Sequence, residues 1–257
     1  MRKKTYNKEE TYMLKQLISV ELLKIRRSRF WIMMLLGPII AVVLSLSNFF
    51  NNFDVFMDPG DNGWIEAWTQ VAIFMGPFIL PILSGIYASL VCRYEYISGG
   101  WKQLLALPVS RSNVYISKFI VLLVLLAVTQ CIVFILFIIL GLLSGVPHEI
   151  PWFSLIVFSL RGLLATLPLA AIQLVISIRS RNFGVPLAFN IALTLPAILA
   201  ANTSLGQFYP WTQPMLAMSP TDETPIQSFP LFYTVVIGVF IATMVFGIRN
   251  FTKRDMT

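Results

Sequence analysis

The sequence alternates between long apolar stretches and short polar segments. Six stretches are long enough to cross a bilayer, and we place them at residues 30–50, 69–92, 119–143, 152–178, 183–201 and 230–248. A helix rises about 1.5 Å per residue, so about 20 apolar residues cross the ~30 Å hydrocarbon layer. Because lipid offers no hydrogen-bond partners, such segments satisfy their backbone groups as helices. The pattern predicts an all-α membrane protein with six transmembrane helices.

The fourth and fifth stretches are separated only by a short basic segment, residues 179–182, and the fourth contains Arg161. One long interrupted apolar segment is therefore an alternative interpretation of this region. About 50 residues exceed the length that one crossing requires, which favours two spans.

The positive charges alternate with these spans. Lys and Arg crowd the segment 1–29 and recur at 93–118, 179–182 and in the tail 249–257, whereas the other three connections contain acidic residues and neither Lys nor Arg. Cationic loops of membrane proteins stay in the cytoplasm. The alternation predicts that both termini are cytoplasmic, and it supports the count of six spans independently of hydropathy.

Composition agrees with this pattern. Hydrophobic residues make up 57% of the chain and charged residues 12%, whereas about a quarter of an average soluble domain is charged. The formal net charge of +7 is explained by cytoplasmic loops next to anionic lipid. We expect no nucleic-acid partner, because no segment outside the spans is large enough for a binding domain. Cys92 and Cys131 lie at the end of a span and within one, so we interpret both as structural.

The segment before the first span contains an amphipathic stretch. Its apolar residues recur at helical spacing, at Leu14, Leu17, Ile18, Leu22 and Ile25. This predicts an interface helix on the inner membrane surface, with its apolar side in the acyl boundary and its cations at the headgroups. Two roles remain open for this helix: a topology anchor, or a contact with a partner protein through its cytoplasmic face.

The cytoplasmic connection 93–118 contains the signals for a short helix between two spans. Two glycines, beginning at Gly99, interrupt the helix that leaves the membrane. Pro108 ends a second helix, predicted at 101–107, because proline lacks a backbone donor and clashes with the preceding turn. Ser110 then suits the N-cap of the next helix. A rigid helix in this position is suited to bind a cytoplasmic partner and to transmit motion into the membrane; an ordinary interfacial loop is the alternative.

The same connection carries a series of residues in the order typical of one transporter family. These are Glu95, Gly99, Lys102, Leu104, Leu105, Pro108 and Arg111, followed by Tyr115 and Lys118. The series resembles the first cytoplasmic loop of ABC-2 type transporter permeases, and the amphipathic segment resembles their interface helix. The overall layout is similar to the permeases that serve lantibiotic immunity and bacitracin resistance. Residues 179–183 and 209–211 add to the likeness.

The resemblance implies that a separate ABC ATPase drives this protein and contacts it through the series from Glu95 to Arg111. It also implies a second permease subunit, alike or different, within the lipid membrane. The chain itself lacks a phosphate-binding loop, because residues 99–103 have neither the glycine spacing nor the Lys-Ser or Lys-Thr pair. We therefore expect ATP to act only through the partner subunit, and no cofactor to bind to this chain.

Four residues are candidates for the substrate path: Arg161, Asn190, Tyr209 and Trp211. Arg161 lies within span four, where a charge is costly and frequently functional, although a long arginine is also able to snorkel towards the interface. Asn190 is also a candidate for a hydrogen bond between helices, which is the more frequent role of such a residue in a span. Tyr209 and Trp211 belong to the outer connection 202–229, which the resemblance implies dips back as short re-entrant helices. A surface loop anchored by its aromatic residues is the alternative.

Taken together, the residues and the resemblance predict a permease subunit of an ABC-2 exporter in a bacterial cell membrane. We expect it to move an amphipathic compound, such as an antimicrobial peptide or a lantibiotic. A receptor or sensor subunit without transport, and an ABC-2 exporter of an unrelated substrate, are the alternatives. An intramembrane enzyme is disfavoured, because the single histidine, His148, lies in a short outer connection and no span holds a pair of acids.

Overall fold

The computed structural model describes residues 2–26, 31–97, 99–221 and 224–253, and the regular structure in these ranges is helical throughout. The helices are α1 (Arg2–Arg26), α2 (Trp31–Asn51), α3 (Phe53–Phe56), α4 (Gly63–Phe74), α5 (Leu80–Ile97), α6 (Gly100–Ala106), α7 (Arg111–Ser144), α8 (Trp152–Ala165), α9 (Leu167–Arg179), α10 (Gly184–Ala201), α11 (Gln213–Met218) and α12 (Phe229–Lys253). A π-helical turn, Met75–Ile79, joins α4 to α5, and a 3-10 turn, Gly206–Phe208, precedes α11. Several residues that contributed to the predictions lie outside the described ranges, namely Arg27, Arg29, Phe30, Asp222, Glu223 and Arg254.

Six helical segments of the described chain are long and apolar enough to cross a membrane. They are Trp31–Asn51, Gly63–Tyr96, Arg111–Ser144, Trp152–Arg179, Gly184–Ala201 and Phe229–Lys253. Each coincides with one of the predicted stretches, so the prediction of an all-α protein with six transmembrane helices is confirmed. The fourth and fifth stretches are separate helices. The cytoplasmic location of the termini stays a prediction.

The second and third crossing segments extend furthest beyond their apolar stretches. The second runs from Gly63 to Tyr96 rather than over 69–92, and the third is the 34-residue helix α7 rather than 119–143. At 1.5 Å per residue α7 is roughly 50 Å long, so it projects out of the ~30 Å hydrocarbon layer. The connection predicted at 93–118 is consequently reduced to residues 98–110, in which α6 lies.

Prolines account for irregularities within two of the crossing segments. Pro77 lies in the π-helical turn and Pro81 at the start of α5. A proline lacks the amide donor of a continuous α-helix, and π turns accommodate such interruptions. The fourth segment is interrupted at Thr166, just before Pro168 in the first turn of α9. The second and fourth spans are therefore interrupted helices rather than continuous α-helices.

The outer connection between α10 and α12 turns back into the bundle. Its helix α11 is largely buried and packs against α8 and the π-helical turn. The indole of Trp68 donates a hydrogen bond to the carbonyl of Met218 at 3.0 Å. A Cβ atom at Gly76 would lie 2.4 Å from the Cα atom of Met215, so this close approach requires glycine. The geometry is that of a short re-entrant helix held by protein contacts.

Helix α1 packs against α5 and α7. The face directed at the bundle is formed by Leu17, Ile18, Glu21 and Ile25, all of them buried or half-buried. We expected the apolar stripe of α1 to lie in the acyl boundary, and the structure corrects this, because most of the stripe packs on protein. Leu22, at the edge of this face, is exposed.

Candidate functional site

One end of the bundle carries the basic side chains of the connections, and we call it the basic end. It includes Arg93, Lys102, Arg111, Arg179 and Arg181. The short helix α6 lies at this end, between α5 and α7, close to the predicted position 101–107.

Local sequence signals explain where α6 begins and ends. Gly99, which precedes it, has φ +63°, a left-handed conformation that glycine adopts without steric cost. Leu107 is extended, as expected for a residue before a proline, and Pro108 follows it. The hydroxyl of Ser110 accepts a hydrogen bond from the amide of Asn113 at 3.2 Å and thereby caps α7. The helix boundaries that the sequence predicts at Gly99 and Pro108, and the N-cap that it predicts at Ser110, are confirmed.

The apolar side of α6 faces the bundle. Trp101 is buried, with its ring centroid 5.9 Å from that of Tyr96 in α5 and 5.4 Å from that of Phe251 in α12. Leu104 and Leu105 are half-buried and pack against the same core. These contacts fix α6 against α5 and α12, and they occupy part of the leucine surface that we assigned to the ATPase contact.

The outward surface of α6 is formed by a different set of residues. It consists of Lys102, Gln103, Ala106 and Leu107. Leu107 is 53% exposed, which makes it the apolar residue of this surface with most area available to a partner. We call these four residues the outer face of α6.

Below α6, four charged side chains from three helices form a compact cluster. The ammonium nitrogen of Lys118 in α7 lies 3.1 Å from a carboxylate oxygen of Glu21 in α1 and 3.0 Å from one of Glu95 in α5. Lys24 in α1 approaches the same two carboxylates at 3.0 and 2.7 Å. Lys118 also donates to the carbonyl of Val91 at 2.8 Å. We call Glu21, Lys24, Glu95 and Lys118 the charge cluster.

The charge cluster has no net charge and is largely withdrawn from solvent. The side chain of Lys118 is 0% exposed and those of Glu21 and Glu95 are 4% and 2% exposed, whereas that of Lys24 is 27% exposed. The ring of Trp101 lies 5.3 Å from the ammonium group of Lys118, which couples the cluster to α6. Glu95, one of the residues predicted at the ATPase contact, therefore lies inside the subunit, and its part in that contact stays a prediction.

The remaining predicted residues of this connection occupy its surface and its far end. Lys102 and Pro108 are exposed. Arg111, at the start of α7, donates a hydrogen bond to the carbonyl of Thr252 in α12 at 3.1 Å. The connection is thus anchored to α12 at two places, through Trp101 and through Arg111.

Three of the four substrate-path candidates lie together. The indole of Trp211 donates to the side-chain oxygen of Asn190 at 2.7 Å, and the Asn190 amide donates to the carbonyl of Pro81. Tyr209 stacks on Trp211 with ring centroids 5.5 Å apart and donates to the carbonyl of Leu193 at 2.6 Å. Burial raises the pKa of the Tyr209 phenol. The network connects the outer connection to α10 and to the start of α5 in the second span.

Arg161 lies apart from that network, on α8. Its Nε atom donates to the hydroxyl of Tyr233 at 3.2 Å, and its guanidinium lies 4.7 Å from the ring of Phe229 and 5.7 Å from that of Phe158. Arg161, Phe229 and Tyr233 border an open groove of about 480 Å³ between α8 and α12. Arginine and aromatic faces attract one another electrostatically, so the charge is held by aromatic contacts rather than by an ion pair among the described residues.

Comparison with known proteins decides the family. Residues 17–197, well over half of the chain, match the family described as ABC-2 family transporter protein. The chain belongs to the ABC-2 transporter family. This permease is also similar to the bacitracin transport permease protein BCRB of Bacillus licheniformis, with 25% identity over 188 residues that cover 70% of this chain and 89% of that relative.

Family membership bears on the role of the basic end. ABC-2 permeases are non-enzymatic, multi-pass subunits of the cell membrane, and membership implies association with an ATPase subunit. The matched region contains α6 and the whole charge cluster. It ends before Tyr209 and Trp211, so the match does not extend to the outer connection.

Sequence reasoning missed two members of the charge cluster, Glu21 and Lys24. A signal for Glu21 was present, because this acid lies on the apolar stripe of α1, three residues after Ile18 and four before Ile25. A charged residue on a buried helix face requires a partner of opposite charge. Such a partner on another span was not assignable from the sequence, because Lys118 is 97 residues away.

Proposed function

We propose that this chain is the membrane subunit of an ATP-driven exporter, with ATP hydrolysed by a separate ABC ATPase that docks on the outer face of α6. The observation that carries the proposal is the position of α6. It is exposed along Lys102, Gln103, Ala106 and Leu107 and fixed on its other side by Trp101. A helix held in this way transmits an external push instead of yielding to it.

Three contacts support the route of that push into the membrane. Trp101 packs on Phe251 of α12 and lies over the ammonium group of Lys118 of α7. Arg111 bonds the start of α7 to the end of α12. Closure of the ATPase on α6 would therefore load α7 and α12 together, while the charge cluster carries the load to α1 and α5.

We further propose that two such subunits, alike or different, face each other in the bilayer. The face of α10 is available for such a contact, since Leu195 and Leu199 are 64% and 79% exposed. Apolar surface of this kind in a membrane protein faces lipid or another subunit. The substrate would pass between the subunits, with the Asn190, Tyr209 and Trp211 network and Arg161 as candidate contacts.

We propose an amphipathic compound, such as an antimicrobial peptide or a lantibiotic, as the substrate. The similarity to a bacitracin transport permease supports this class. Cells that carry the chain together with its ATPase should tolerate more of at least one compound in a panel of lantibiotics and bacitracin than cells that lack the chain. The protection should vanish when the ATPase is inactivated by substitution of its phosphate-binding lysine.

A matched pair of variants separates coupling from folding. Leu107→Asp places a charge on the outer face of α6 and should abolish both protection and copurification of the ATPase. Burying an uncompensated charge in a contact costs several kcal/mol, which is more than a hundredfold in affinity. Val55→Asp makes the same kind of change at a 78% exposed position on α3 at the other end of the bundle and should change neither.

Two outcomes would contradict the proposal. Protection that persists with the inactive ATPase would favour a receptor or sensor subunit instead. Unchanged copurification of the ATPase with the Leu107→Asp variant would remove the outer face of α6 as the docking surface.

A further inference from the structure

A pocket of about 330 Å³ opens at the basic end between α5 and the turn that joins α9 to α10. Its polar lining includes Ser89, Arg93 and Tyr96 of α5, Ser177 of α9, and Ser180 and Arg181 of the turn. The volume is within the range of small-ligand sites. The pocket is separate from the outer face of α6 and from the charge cluster, and no step of the proposed transport uses it.

The rim of the pocket is cationic. Arg93 and Arg181 are both exposed and come from different elements. The ion pairs among described side chains join Lys24 and Lys118 to Glu21 and Glu95, so Arg93 has no acidic partner among the described residues. Two guanidinium groups at one opening favour an anion that accepts several hydrogen bonds, and a phosphate group fits this requirement best.

The floor of the pocket offers hydroxyl groups with spare hydrogen-bonding capacity. Ser89 and Ser177 are 5% and 1% exposed, and their oxygen atoms lie 3.5 Å apart. That separation is longer than a normal bond between hydroxyl groups. Buried hydroxyls ordinarily find closer partners, so this pair is suited to bind a further polar group.

The start of α10 adds to the same opening. The side chain of Asn182 accepts a hydrogen bond from the amide of Gly184 at 2.9 Å, so the first turn of this 18-residue helix begins at the pocket. The amino end of a helix carries partial positive charge. Beyond the pocket, Val185 and Phe189 are 53% and 44% exposed and lie about one turn apart along α10, one of the six candidate spans.

We infer that this pocket binds the phosphate-bearing headgroup of an anionic phospholipid from the leaflet at the basic end. Arg93 and Arg181 hold the phosphate, the serine hydroxyls hold the polar remainder of the headgroup, and one acyl chain follows Val185 and Phe189. The apolar surface of Val185 and Phe189 favours a lipid over a free anion, because a free anion has no acyl chain to contact it. The bound lipid joins α5 to α10 and so stabilises the base from which α6 projects.

The test titrates the purified full chain, in detergent, with phosphatidylglycerol or with phosphatidylcholine and counts bound lipids by native mass spectrometry. We expect one phosphatidylglycerol molecule per chain to bind more tightly than the others. We expect no phosphatidylcholine molecule to bind with comparable affinity. The double variant Arg93→Gln/Arg181→Gln should weaken that site at least tenfold, which corresponds to about 1.4 kcal/mol.

Arg179 provides the matched control. It lies two residues from Arg181, but its guanidinium lies over the ring of Phe246 at 5.2 Å and it borders a different cavity. Arg179→Gln should therefore change the lipid affinity less than twofold. An equal loss in Arg179→Gln would show general attraction of anionic lipid to a basic surface and would overturn the site.

A lysine variant and a competition experiment with inorganic phosphate test the site further. The variant Arg93→Lys/Arg181→Lys keeps both charges, so it should fold even if the Gln variant does not. It loses the two-pronged hydrogen bonding of arginine, so its lipid affinity should be lower than that of the wild type and higher than that of a folded Gln variant. Inorganic phosphate should compete with phosphatidylglycerol only weakly. Tight binding of inorganic phosphate with no preference for the lipid would assign the pocket to a soluble anion and contradict the proposal.

Discussion

Replacement of Lys118 by methionine is the change that most directly probes how the basic end is held together. Methionine keeps the unbranched apolar stem and removes the ammonium group. That group is fully buried and lies 3.1 Å from Glu21, 3.0 Å from Glu95 and 2.8 Å from the carbonyl of Val91. The variant therefore leaves two nearly buried carboxylates with only Lys24 as a counter-charge.

The expected magnitude follows from burial. Removing one partner of a buried ion pair costs about 3–5 kcal/mol, because the other charge stays buried and unpaired. Lys24 still contacts both carboxylates in this variant, so we expect the lower end, about 3 kcal/mol. Lys24→Met also leaves the two carboxylates with one counter-charge, Lys118, but the Lys24 side chain is 27% exposed, so water screens its two ion pairs. Its loss should therefore cost less, about 1–2 kcal/mol.

Glu95→Gln combined with Lys118→Met provides the decisive comparison. The double variant leaves one carboxylate, Glu21, opposite Lys24. Its loss of unfolding free energy should therefore be smaller than the sum of the losses of the two single variants by about 1–3 kcal/mol. Reversible unfolding in sodium dodecyl sulfate, followed by circular dichroism, measures all of the variants. Additive losses, or a Lys118→Met variant no less stable than Lys24→Met, would refute the cluster as a connection between α1, α5 and α7.

Two further predictions concern the fold and its orientation. Gly76→Ala should destabilise the protein by about 1–3 kcal/mol through overpacking against α11, measured in the same unfolding assay, whereas Gly238→Ala, where a Cβ meets nothing within 4 Å, should be neutral or stabilising; equal effects would contradict the re-entrant packing. Cysteines in place of Asp58 and Thr221 should react with an impermeant thiol reagent added to intact cells, and a cysteine in place of Ser112 should not; labelling at position 112 would reverse the predicted orientation.

Much of this fold follows from local sequence features. Six apolar stretches predict six crossing helices because the bilayer thickness sets the length of each one. The position of α6 follows from Gly99 and Pro108, since one permits a left-handed backbone and the other ends a helix. These signals act within a few residues, so they do not depend on the rest of the fold.

The ends of the helices do not follow from hydropathy. Residues 63–68 and 111–118 are helical although they contain Glu66 or basic side chains, because backbone hydrogen bonding continues beyond the hydrocarbon layer wherever a helix packs against its neighbours. Hydropathy reports contact with lipid, and it is silent about a polar helix end that leaves the membrane.

The direction in which α6 faces was not predictable either. Leu104 and Leu105 supply an apolar side that is equally suited to a partner and to the core of the subunit. The choice is made by α12, which supplies Phe251 to Trp101 from 150 residues further along the chain, and by the pairing of Lys118 with α1. Such contacts join distant parts of the sequence, and a single sequence carries no signal for them.

The most direct test of the account is site-specific cross-linking from the outer face of α6. A photoreactive phenylalanine derivative is placed at Leu107 in cells that produce the chain, and the cross-linked product is identified by mass spectrometry. If the ATPase docks on the outer face of α6, the derivative at Leu107 forms an adduct with a protein that carries an ABC ATPase phosphate-binding loop, and the same derivative at Val55 does not. An adduct with the ATPase from Val55, or none with any ATPase from Leu107, would contradict it.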